Sequence, residues 1–141
     1  MSGITMQIEG IEEFKKALAS ATEDIREAVR AEVAQATLRV HERSIDRIQR
    51  GNKTGFTYEK YVPRRTHQAS APFQAPASDT GRLASSIEWR MDNLEGTVFT
   101  RVDYGRYLEF GTKSIEPRPW LLPSVEEAAP RFREGLMGIL Q

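Results

Sequence analysis

IEEFKKALASATEDIREAVRAEVAQATLRVHERSIDRIQR, residues 11–50, is the stretch whose reading decides the fold. Ile11, Phe14, Leu18, Ala21, Ile25, Val29, Val33, Ala36, Val40, Ile45 (beside Ser44) and Ile48 recur at threes and fours, the period of one helix face. Ser20-Ala21-Thr22-Glu23 has the spacing of a capping box, which predicts a short helix stopping near Ser20 and a long one beginning there. Eight acids and eight bases accompany the stripe, mostly opposite it. They read as a solvated face, because such side-chain pairs contribute only ~0.2–0.5 kcal/mol each.

Upstream, Ile4 to Ile8 alternate apolar and polar before Gly10, a short strand and turn. Downstream, residues 51–81 carry no helical stripe and are expected to form a long flexible loop over 51–80, of the kind that is functional or orders on a partner. Its bases Lys53, Lys60, Arg64 and Arg65 outnumber the acids Glu59 and Asp79, with Phe56, Tyr58, Tyr61 and Phe73 interleaved. Packing against a neighbouring subunit is the expectation for this segment; the alternative is a nucleic-acid-binding surface built on the basic residues between 53 and 65.

From Arg82 a helical turn gives way to a strand in which Ile87, Trp89 and Met91 alternate, with Trp89 expected in the core. Asp92 to Gly96 supplies a turn and Thr97 to Val102 a β-branched strand, which together read as a hairpin. Tyr104 to Phe110 is a short helix or turn ending at Gly111. Pro117 and Pro119 force an extended path, and Ser124 opens a final helix with Phe132, Leu136, Ile139 and Leu140 on one face. The fold class is therefore α+β: a long N-terminal amphipathic helix packed on a small antiparallel sheet, a long irregular loop and a C-terminal helix, in one domain over 1–141.

Composition narrows the function. Twenty basic residues balance twenty acidic ones, the pI is near 6.8 and the mean hydropathy is -0.53, so the chain as a whole is no generic polyanion binder. There is no cysteine, hence no disulfide framework, thiolate zinc site or cysteine nucleophile. The N-terminus lacks the pattern of a secretion signal, and no run approaches eighteen apolar residues. Nucleophile-elbow, phosphate-loop, dinucleotide and zinc-protease motifs are missing. His41 and His67 have no neighbours at ligand spacing, and no carboxylate pair is marked out from the rest. No enzyme, cofactor or metal is expected.

The order Asp79-Thr80-Gly81-Arg82-Leu83-Ala84-Ser85-Ser86-Ile87, then Tyr104 to Thr112, then Pro117-Arg118-Pro119-Trp120-Leu121-Leu122-Pro123-Ser124 resembles the tail-component family of tailed phages typified by the gene-ten product of Hong Kong 97-like phages. His67 to Pro76 resembles the segment that precedes the D-T-G-x-L motif there, with Phe73 where that family suggests glycine, and the resemblance covers residues 67–127. It implies an α+β head-tail joining or tail-completion subunit, forming a ring, commonly a hexamer, in the neck of the virion. The implied partners are sister copies, connector and tail tube or terminator proteins, with DNA in the channel and synthesis in the bacterial host cytoplasm. Interface residues are expected at Tyr107, Glu109, Phe110, Gly111, Arg118, Pro119, Trp120 and Leu121, with Pro117-Arg118-Pro119 stiffening an arm that places Trp120 and Leu121; Trp120 itself is open between the core and an anchor on a partner. A Glu109–Arg118 ion pair would set its register. Lys53, Lys60, Arg64 and Arg65 are candidates to face DNA.

Overall fold

The computed structural model describes residues 11–61 and 63–140; the strand expected at 4–8 lies outside them. The apolar stripe becomes two helices, α1 (Ile11–Ala19) and α2 (Glu23–Arg50). The break comes where the sequence places it, but the cap is Thr22, whose hydroxyl accepts from Ile25 N at 3.4 Å. Ser20 instead donates to Ala17 O, so the anticipated capping box does not form. Arg26 closes the C-terminal end of α1 by donating to the carbonyls of Leu18 (3.0 Å) and Ala19 (2.7 Å), which the helix leaves without partners.

Two short hairpins come next, β1 (Thr57–Tyr61) with β2 (Arg64–Gln68) and β3 (Ile87–Asp92) with β4 (Glu95–Thr100), each an antiparallel pair. The first corrects the expectation of an irregular segment. TYEKY and RRTHQ alternate polar residues on both faces, so no apolar period-two signal betrays the strands, and every described residue of β1 and β2 is exposed or half-buried. The second hairpin matches its sequence reading. A single turn of helix, α3 (Arg82–Ser86), leads into it, and the chain reverses at Asn93, whose φ of 54° an asparagine tolerates. Arg30 donates to the Asn93 amide oxygen at 3.1 Å and ties this turn to α2.

Two more helices complete the chain: α4 (Asp103–Phe110) and α5 (Leu122–Leu140). The last starts two residues before the expected Ser124 and runs through Pro130. The long helix α2 is the spine, with α5 along one flank and α3, β3 and β4 on another. Between them lies a core of Val40, Ile48, Leu83, Ala84, Ile87, Trp120, Leu121 and Ala128, with Ile45, Ala75, Val98, Leu108 and Val125 packed around it. Small residues let the layers approach: Ser44 and Ser124 are fully buried, and a Cβ on Gly96 would collide with the Thr37 side chain. Ion pairs clamp the α2–α5 contact at its rim. Glu127 receives Arg43 (2.8 Å) and Arg47 (2.5 Å), and the Arg43 hydrogen bond leads the causes that lower its pKa. No described helix is long and apolar enough to cross a membrane.

The tryptophan expected in the core is the exposed one, and Trp120, open in the sequence between core and anchor, lies in the core. Trp120 is 1% exposed, while Trp89 is 44% exposed. The period-two pattern puts Trp89 on the same sheet face as Ile87 and Met91, but the sheet has only two strands, too few to cover the whole of that face.

Candidate functional site

Helix α4 divides its side chains cleanly. Gly105 and Glu109 are buried and Leu108 half-buried, whereas Tyr104, Tyr107 and Phe110, three residues apart, are exposed. Gly105 is required for the close approach, since a Cβ there would stand 2.8 Å from the Thr100 methyl and 3.1 Å from Leu83. The Trp120 indole fills the space beside it and donates through Nε1 to Gly105 O at 2.9 Å.

Glu109, 5% exposed, organises the entry into α5. One carboxylate oxygen accepts from Trp120 N (2.7 Å) and Leu121 N (2.9 Å), and the other accepts from Leu122 N (2.8 Å). These are backbone donors at the start of α5, so a side chain from α4 supplies the cap that α5 lacks locally. The charge also sits at the positive end of that helix. A buried carboxylate with three such donors is compensated without a cationic partner.

Arg118, expected to pair with Glu109, turns the other way. Its guanidinium donates to the Ser70 backbone carbonyl and, at 2.6 Å, to the Ser70 hydroxyl, while its backbone N donates to Leu108 O at 2.6 Å. Phe73 N donates to Pro117 O at 2.8 Å. The Pro117-Arg118-Pro119 segment is thus a strap between α4 and the 69–73 loop, not a projecting arm. Gly111 makes the reversal into it: its φ of 73° and ψ of -179° belong to a region that only glycine occupies readily, and a Cβ would meet Ile115 O at 2.7 Å.

The expected interface set therefore separates into two groups. Glu109, Trp120 and Leu121 are consumed inside the chain, Arg118 and Pro119 are half-buried in the strap, and Gly111 shapes the turn. Tyr107 and Phe110, 54% and 59% exposed, keep their aromatic surface outward, joined by Tyr104. Sequence reasoning recognised the motif but assigned its anchors to a partner; the spacing alone does not say that Glu109 lies under the start of α5.

The basic residues also divide. Lys53 donates to Arg47 O (3.0 Å) and Ala75 O (2.9 Å), so it caps the C-terminal end of α2, and burial lowers its pKa. Lys60 and Arg65 both bind Asp79, the first through Oδ2 and the second through Oδ1. Arg64 is exposed, 3.9 Å from Glu59. His67 lies edge-on to Tyr58, with ring centroids 5.4 Å apart, and its Nδ1 is 3.9 Å from Asp79. His41 has a structural part, its Nε2 standing 3.0 Å from Ile87 O. Asp79, Ser70 and Ser124 are the partners that the sequence reading did not single out.

No curated protein and no solved structure matches the chain significantly. A family model, described as "Bacteriophage HK97-gp10, putative tail-component", matches residues 12–111, from α1 to the glycine that ends α4. The match reaches further toward the N-terminus than the resemblance over 67–127 and stops before the strap. It includes Glu109 and the outward aromatic row of α4, and on this extent the chain belongs to the HK97-gp10-like tail-component family.

Proposed function

We propose that this tail component is a ring-forming subunit of the head-tail junction, a connector or tail-completion protein through which DNA passes, with sister copies as its first partners and the connector and tail tube as its neighbours. The virion neck is its place of work. The observation that carries the reading is the row Tyr104, Tyr107 and Phe110, held outward because Gly105 and Glu109 on the opposite face are locked to Trp120 and the start of α5. A rigidly presented aromatic stripe loses little side-chain entropy on docking, and aromatic residues dominate the energy of subunit contacts. A ring of this kind performs no bond chemistry; its function is shape and attachment.

The test is assembly. Tyr107→Ala with Phe110→Ala should leave the far-ultraviolet circular dichroism spectrum and melting temperature of the isolated chain nearly unchanged, because both side chains are largely solvated. The same pair should abolish ring formation in native mass spectrometry and incorporation into particles in a complementation assay. Normal rings from the double variant would overturn the proposal.

A further inference from the structure

In the register of the first hairpin, Lys60 stands directly opposite Arg65 and Tyr58 opposite His67, and alternation puts all four on one face. Like charges directly opposite each other destabilise a two-stranded ribbon, and an isolated ribbon is marginal in any case. The described residues of this ribbon include no buried side chain that would compensate. Asp79 does so instead. It places one carboxylate between the two cations, with His67 alongside and Lys60 Nζ 5.8 Å from the centre of the Tyr58 ring.

The geometry points to an oxyanion site on this ribbon that the chain fills with its own Asp79 in the free subunit, and whose exchange occupant is a backbone phosphate of duplex DNA. One carboxylate answers two cations, leaving the face positive. Arg64, next to Arg65 in the strand, lies on the other face of the ribbon, 3.9 Å from Glu59, and takes no part in this site. A backbone phosphate offers a single negative charge on two unhindered oxygens, the arrangement by which the Asp79 carboxylate spans Lys60 and Arg65. A two-stranded ribbon also fits the width of the major groove. Asp79 is thereby an internal competitor: it parks the ribbon against the Asp79-Thr80-Gly81 turn, and DNA lifts it away. The inference rests on the ribbon alone and is independent of the aromatic row on α4.

The full chain and its Asp79→Asn variant are titrated against a short fluorescein-labelled duplex, followed by anisotropy at several salt concentrations. Removing the competitor should tighten binding by roughly tenfold or more, while the salt dependence, set by the phosphates contacted in the bound state, stays close to the parent's. Asp79→Glu, which keeps the charge, should stay near the parent. Adding Lys60→Ala and Arg65→Ala to Asp79→Asn should erase the gain. An Asp79→Asn variant that binds DNA no better than the parent, that gains binding which survives loss of both cations, or that self-associates in light scattering without a gain for DNA would each overturn the inference. A variant too unstable to titrate leaves the parent to decide: duplex must shift the nuclear magnetic resonance signals of Tyr58, His67 and Asp79, and no shift at saturating duplex is a refutation.

Discussion

Glu109→Gln probes the cap on α5 most directly, because it keeps size and burial and changes only the charge and one acceptor. The glutamine oxygen can remain where it accepts from Trp120 N and Leu121 N, converting two charge-assisted bonds into neutral ones at a loss of about 1 kcal/mol each. Its amide group then faces Leu122 N, donor against donor, and the third bond is lost. Water reaches Leu122, which is 44% exposed, so this last contribution is softened. The sum is about 2–4 kcal/mol. Glu109→Ala removes all three acceptors and opens a cavity, for a loss of about 4–6 kcal/mol, close to the whole stability of many single domains. Urea unfolding followed by circular dichroism measures both; the glutamine variant should also melt roughly 6–15 °C lower. A loss below about 1 kcal/mol for glutamine, or an alanine variant no worse than the glutamine one, would refute the idea that this carboxylate caps α5.

Three further outcomes are expected. Gly111→Ala should destabilise by about 2 kcal/mol or more, while Gly81→Ala, at a φ of 76° but with open space around it, should lose only about 1 kcal/mol; equal losses in denaturant titrations would contradict the packing around Gly111. Trp89→Phe should leave the blue-shifted emission of an enclosed indole and Trp120→Phe the red-shifted emission of a wet one, and the reverse order would place the wrong tryptophan in the core. Asp79, with its pKa lowered from 3.8 to about 2 first by the Lys60 and then by the Arg65 hydrogen bond, favours the parked ribbon fully above pH 3.8 and loses that contribution as pH falls through about 2. The groups facing it are Lys60, Arg65 and His67, so the Asp79 carboxyl resonance should hold steady down to about pH 3.8 and move below it, with its midpoint near 2; a midpoint at the ordinary 3.8 would disprove the assignment.

The sequence by itself determined the elements that declare a period. The α1–α2 stripe, the alternation of β3 and β4, the helix ending at Gly111 and the α+β class were all legible, because burial of one face writes a repeat of 3.6 or 2 into the chain. The motif residues were legible too, since glycine and proline constrain the backbone wherever they stand. Tertiary structure alone decided what the motif does. Glu109 and Leu122 are thirteen residues apart and meet only after the strap folds back, so neither their spacing nor their types distinguishes a buried cap from a surface carboxylate. The β1–β2 ribbon escaped notice because both its faces are polar, and a strand that buries nothing carries no alternation. Its anchor, Asp79, lies nineteen residues from Lys60 and fourteen from Arg65, and only the folded chain brings one carboxylate between two cations. The places of Trp89 and Trp120 needed the fold for the same reason: alternation reports which face a residue occupies, while the number of strands and the position of the strap decide whether that face is covered.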